Sequence, residues 1–129
     1  MNWYLDSSAI TKLIFRENES LELRDFLSGP LISSRISKLE VCRAVARVAP
    51  RQSKFTNEVL GNFNLVPLHE EVLQIAENFP KEITLKSLDA IQVATVIYLG
   101  TKIEGLVTYD KQMRTNAEML GIKVTSPGA

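Results

Sequence analysis

Four acidic side chains stand at positions where carboxylates could do joint chemistry: Asp6, Glu40, Asp89 and Asp110. Each has a local explanation of its own. Asp6 and Asp110 follow short β-prone runs and precede helical ones, where Asp favours a helix start. Asp89 sits in the first turn of an apolar helix, where a negative charge meets the macrodipole. Glu40 has Arg43 three residues on, and Arg47 beyond it, for a surface ion pair. Gathered around one pocket, however, four carboxylates cannot all stay ionised. Their repulsion raises pKa values until some protonate, unless a cation intervenes. A hard divalent ion such as Mg²⁺ resolves this, because it prefers carboxylate oxygen and water. An ion held so lowers the pKa of its bound water and supplies hydroxide for in-line attack on phosphorus. Other routes to hydrolysis are few in this chain. One Cys (Cys42) and one His (His69) exclude a multi-Cys metal site, an internal disulfide and a His-pair zinc site, and leave a serine triad a single possible base.

The elements that must position these acids follow from periodicity and punctuation. Residues 2–5 read as a strand, and Asp6-Ser7-Ser8 as a polar turn with Ser7 or Ser8 capping a helix to residue 16. Residues 19–27 form a second helix, ended by Gly29-Pro30. Leu31 to Ser33 is a buried-strand candidate. Ser34 or Ser37 caps a helix to Ala49, stopped by Pro50, and residues 52–61 form the next. Leu65 to Leu68 reads as a strand with an edge character imposed by Pro67. Helices over 70–79, 88–99 and 110–120 and strands over 106–108 and 122–125 complete the chain, with a loop at 80–86. Short apolar strands alternating with helices predict one α/β domain over residues 1–129, its parallel sheet covered on both faces. In such sheets ligands bind beyond the carboxyl ends of the strands, where connections diverge. Asp6 and Asp110 both lie there. On a helical wheel Asp89 shares a stripe with Gln92, Val93 and Val96, so its charge points inward and needs a partner.

Tyr4-Leu5-Asp6-Ser7-Ser8-Ala9-Ile10, Ser37-Lys38-Leu39-Glu40-Val41, Ser87-Leu88-Asp89-Ala90-Ile91 and Val107-Thr108-Tyr109-Asp110, in this order, resemble the motifs of the PIN-domain ribonucleases. The likeness is to the small VapC-type toxins of toxin–antitoxin pairs and covers essentially the whole chain. It implies a three-layer α/β/α fold around a central parallel sheet of about five strands. It also implies a metal-dependent endoribonuclease with Mg²⁺ or Mn²⁺ held by Asp6 and Asp89, and by Asp110 directly or through water. Glu40 would orient or deprotonate the attacking water, and Ser7 and Thr108 would support the acids. Many of these toxins carry His three residues after the third acid; this chain has Gln92. The resemblance further implies a homodimer and a cognate antitoxin that covers an apolar groove.

Net charge is zero, with 15 basic and 15 acidic residues, so no global attraction to a polyanion exists. Residues 35–54 are nonetheless basic, holding Arg35, Lys38, Arg43, Arg47, Arg51 and Lys54 against Glu40. That run reads as a solvated helix face or as a phosphate-contacting surface. Lys12, Arg16, Arg43, Arg47 and Lys86 lie on elements flanking the expected pocket and are candidates for RNA or antitoxin contact. Phe15, Val41, Val45, Val48 and Phe55 are core, or in part the wall of a partner groove. Asp6 interrupts the first ten residues, and no apolar run approaches the ~20 residues that span a bilayer. The expectation is a cytoplasmic protein that does not enter membranes. A different class, a non-catalytic Mg²⁺-binding α/β regulatory or binding module, also gathers acids at strand ends. A receiver-like version needs an Asp after the third strand, where this chain has His69.

Overall fold

The computed structural model describes residues 2–129. Its frame is a five-stranded, wholly parallel sheet in the order β3-β2-β1-β4-β5. The strands are β1 (Trp3–Leu5), β2 (Leu31–Ser34), β3 (Phe63–Val66), β4 (Gly105–Val107) and β5 (Val124–Thr125). Seven helices connect them: α1 (Ser7–Ile14), α2 (Ser20–Phe26), α3 (Arg35–Val48), α4 (Ser53–Leu60), α5 (Glu70–Glu77), α6 (Ser87–Leu99) and α7 (Lys111–Met119).

The side-chain period of two in β1 divides the core into its two layers. Trp3 and Leu5 turn to one face and pack with Ala9 and Ile10 of α1, Leu23 of α2, Val41 and Val45 of α3 and Leu60 of α4. Tyr4 turns to the other and packs with Val93 and Val96 of α6 and Met113 and Ala117 of α7. In β4, Val107 joins the first layer and Leu106 the second. This is the three-layer α/β/α arrangement expected from the alternation of elements. Helix α6 is apolar nearly all round because it lies between the sheet and α5; six of its residues, Ala90 and Gln92 to Val96, are buried.

The strand order sets the position of the site. From β1 the chain steps outward to β2 and then to β3 at one edge, then returns to β4 on the other side of β1 and ends on β5. The connections therefore diverge between β1 and β4, whose residues pair Trp3 with Gly105, Tyr4 with Leu106 and Leu5 with Val107. A crevice at the carboxyl ends of these two strands is the geometric result.

Two local expectations need correction. The third strand runs over Phe63–Val66, two residues earlier than expected. Phe63 is buried and Asn64 exposed, which fits a half-covered edge strand, and Pro67, lacking an N–H, lies just past its end. Helix α1 is capped by Asp6, whose carboxylate accepts from the Ala9 amide at 3.0 Å, rather than by Ser7 or Ser8. Ser34 does cap α3, through the Ile36 amide.

Candidate active site

Asp6, Asp89 and Asp110 line one cavity of about 150 Å³, together with Ser7, Ser8, Gln92 and Met113. Asp6 arrives from the end of β1, Asp110 from the turn after β4 and Asp89 from the first turn of α6. Capping and clustering turn out to be compatible. Asp110 caps α7 by accepting from the Met113 amide at 2.8 Å, as Asp6 caps α1, and both still face the cavity.

Asp6 is almost wholly buried, at 2 % exposure. One carboxylate oxygen accepts from the Ser8 hydroxyl at 2.6 Å and the Ala9 amide; the other accepts from the Thr108 hydroxyl. Burial raises its pKa to about 6. The Ser8, Thr108 and Ala9 hydrogen bonds pull the other way, and the Asp110 charge adds a little to the rise. Thr108 is itself oriented, since its oxygen accepts from the Asp110 amide at 3.1 Å. Asp89 is half-buried, and its pKa is raised by desolvation first, then by repulsion from Asp110 and Glu40, with Lys86 opposing. The acids thus feel one another's charge across the cavity, as carboxylates short of a counter-charge do.

Glu40 stands one layer back. It is absent from the cavity wall but bonded to two residues that form it, accepting from Ser7 Oγ at 2.8 Å and Gln92 Nε2 at 2.9 Å. No ion pair joins it to Arg43 or Arg47 among the described residues; both arginines are exposed on α3. Gln92 is the residue that sequence reasoning undervalued. It is fully buried and reaches Tyr4, Ser37, Glu40 and Ser7. The sequence signal for it was a polar residue on the inward stripe of an otherwise apolar helix.

The basic candidates are dispersed. Lys86 is exposed at the start of α6 beside Asp89. Lys12 is turned to its own neighbours, bonding Glu19 at 2.9 Å and Glu17 at 3.3 Å, with its ammonium 5.0 Å from the Tyr109 ring centre. Arg16 lines a separate groove of about 640 Å³ with Ile14, Phe15, Arg24, Gln52 and Phe55. Val41 and Val45 are core, whereas Val48 and Phe55 are exposed.

The donor set suits a hard divalent cation in kind, since three carboxylates, two of them raised in pKa, face one cavity lined otherwise by hydroxyl, amide and thioether groups. Among the described residues no three such groups are drawn together as tightly as in a loaded metal site.

Comparison with known proteins identifies the family and the fold. A family model described as PIN domain matches residues 3–119. Two curated relatives from Mycobacterium tuberculosis, Ribonuclease VapC46 and Ribonuclease VapC47, are 40% and 34% identical to this chain; the matches cover 96% of both chains for the former, and 98% of this chain and 97% of the relative for the latter. Among solved structures, Mycobacterium tuberculosis VapC20, a "Sarcin-Ricin loop cleaving toxin", superposes with a TM-score of 0.76 at 12% identity, covering 98% of this chain and 100% of that one. A toxin–antitoxin complex from Klebsiella pneumoniae gives a TM-score of 0.71 at 21% identity over 84% of this chain and 86% of that one. At those identities the superpositions speak for the fold. The family match runs from Trp3 at the start of β1 to Met119 at the end of α7, and with relatives this similar over nearly the whole length the chain belongs to the PIN-domain family.

Proposed function

We propose that this protein is a metal-dependent endoribonuclease, the toxin of a toxin–antitoxin pair, with residues 1–129 as its single nuclease domain. The observation that carries the reading is the convergence of Asp6, Asp89 and Asp110 on one cavity at the strand ends where the sheet's connections diverge. The ribonuclease names of relatives at 34–40% identity supply the reaction class.

Asp6, Asp89 and Asp110 are the residues that would hold Mg²⁺ or Mn²⁺. The chemistry such an ion supplies when bound is a lowered water pKa and neutralised charge on the phosphodiester oxygens. Asp6 is held in place by Ser8, Ala9 and Thr108 and gives the site a fixed point. Asp89 is half-buried in the first turn of α6 and faces the same cavity. Glu40, bonded to the cavity residues Ser7 and Gln92, is the residue that would orient the attacking water or take its proton. Lys86, exposed beside Asp89, and the exposed Arg43 and Arg47 are candidates for RNA phosphates. The groove around Phe15, Arg16 and Phe55 combines aromatic and cationic groups suited to an antitoxin segment. A homodimer and a cytoplasmic location belong to the same reading. No helix among the described residues is long and apolar enough to cross a membrane.

A regulatory module that accepts phosphate after its third strand finds no support. β3 is an edge strand, and His69 beyond it packs against Tyr98 with ring centres 5.2 Å apart, outside the cavity wall. The test is cleavage of total cellular RNA by the purified protein with Mg²⁺, with EDTA, and by Asp6→Asn. Cleavage that EDTA and Asp6→Asn both abolish is the expected result; undiminished cleavage by Asp6→Asn would overturn the proposal.

A further inference from the structure

Resting on the nuclease reading above, we infer that Gln92 is a positioning residue, its side-chain amide oriented by Tyr4 so that it holds the Glu40 carboxylate against the wall residues of the acidic cavity. The hydrogen-bond inventory leaves one consistent arrangement. The Leu5 carbonyl can only accept, so the single proton of Ser33 Oγ goes to it. Ser37 then donates to Ser33 Oγ across 2.7 Å. With its proton used, Ser37 Oγ can only accept from Gln92 Nε2, at 2.8 Å. Gln92 Oε1 is left to receive the Tyr4 hydroxyl. The second hydrogen of Nε2 points to Glu40 Oε1 at 2.9 Å, where Ser7 Oγ also donates, at 2.8 Å. Turning the amide over would set Gln92 Oε1 against the Glu40 carboxylate, acceptor against acceptor, so the arrangement has one direction.

All of these groups except Ser7 and Glu40 are buried, at 1 % exposure for Gln92 and none for Tyr4, Ser33 and Ser37. A buried polar residue on a helix that also gives Val93 and Val96 to the core is expensive unless every hydrogen bond is made, and here each is made. Burial raises the pKa of Tyr4 and keeps its hydroxyl a donor at working pH. The chain of bonds starts in the backbone of β1 and ends on Glu40 of α3, passing through β2 and α6. It therefore ties the orientation of Glu40 to the same strand that presents Asp6.

The experiment is a double-mutant cycle with Gln92→Met, which keeps length and removes the donor, and Glu40→Gln. Cleavage of a fluorescent single-stranded RNA is followed with saturating Mg²⁺. Expected is a fall in kcat of about 10- to 100-fold for Gln92→Met, the range seen when a hydrogen-bonded supporting partner is lost, with KM within about twofold. In the Glu40→Gln background Gln92→Met should then have no further effect on kcat. Tyr4→Phe should show the same pattern more weakly. Unchanged kcat in Gln92→Met, or losses that multiply in the double variant, would overturn the inference. A readout independent of cleavage is the Gln92 side-chain amide NMR signal. It should exchange slowly with solvent and move on Glu40→Gln; exchange as fast as that of exposed Gln74 would overturn the inference as well. If Asp6→Asn cleaves as well as the wild type, the nuclease reading fails, while the amide signal still reports on the Gln92–Glu40 bond.

Discussion

Replacing Asp6 by Asn should make the metal-free protein more stable at neutral pH while destroying its activity. The reasoning starts from burial. Lifting a carboxyl from its ordinary 3.8 to about 6 corresponds to about 3 kcal/mol between its protonated and ionised forms. The sign follows from proton binding. Between pH 4 and 6 the folded protein binds more protons at Asp6 than the unfolded chain, so stability falls as pH rises through this window and levels off above it. Asn carries no charge to bury. Its Oδ1 keeps the Ala9 and Ser8 hydrogen bonds, but its Nδ2 meets Thr108 Oγ1, which must turn its proton elsewhere, for instance toward Ser8 Oγ at 3.3 Å. Losing that one donor–acceptor match costs about 1 kcal/mol. The net expectation for Asp6→Asn above pH 7 is a gain of about 2 kcal/mol, or about 5–10 °C in Tm for a chain of this size. Below pH 4 the gain should vanish or reverse. Thermal melts of both proteins in EDTA from pH 3.5 to 8 check this. Adding Mg²⁺ at pH 8 should raise the Tm of the wild type and leave that of the variant where it was. A variant that melts no higher than the wild type at pH 8 in EDTA would refute the reasoning.

Other expectations are more direct. Asp89→Asn should take RNA cleavage below detection and leave the circular dichroism spectrum unchanged, because Asp89 is half-buried and bonds nothing in the core. Glu40→Gln should lower kcat by about 10²- to 10⁴-fold, the range for a lost general base, measured on the same RNA. Gly105→Ala should destabilise by about 1–3 kcal/mol in urea unfolding, since a Cβ there would stand 2.3 Å from the Lys123 carbonyl oxygen and 3.0 Å from the Trp3 ring. Asn116→Ala should cost about 1–3 kcal/mol and speed amide exchange at Thr84, whose N–H donates to the Asn116 side chain at 2.8 Å.

The sequence foreshadowed much of this because two short-range rules coincide at the site. A carboxylate between a strand and a helix is both a cap and a sheet-end group, so Asp6 and Asp110 could be placed from their neighbours alone. Asp89 was legible from its wheel position. What escaped were features decided by partners far along the chain. Ser7 and Ser8 look like caps in isolation. Only the fold brings Thr108 to Asp6 and Glu40 to Ser7, leaving the cap to Asp6 itself. Lys12 looks like a free cation beside the pocket, yet the chain turns Glu17 and Glu19 back onto it. Gln92 shows locally only as a polar residue on the inward stripe of an apolar helix; its role stays hidden because its four partners come from β1, α1 and α3.

The central position of β1 has a consequence for synthesis. Asp6 is made early, but Thr108, which fixes it, and Asp110, which shares its cavity, are about a hundred residues downstream on the far side of the last crossover to β4. A ribosome that stalls before Gly105 releases a chain with three strands at most and a cavity without Asp110 and Met113. Nonsense and frameshift alleles upstream of that point should therefore be harmless to the cell however much peptide accumulates, and the acidic cavity comes into being only once the message through Asp110 has been read.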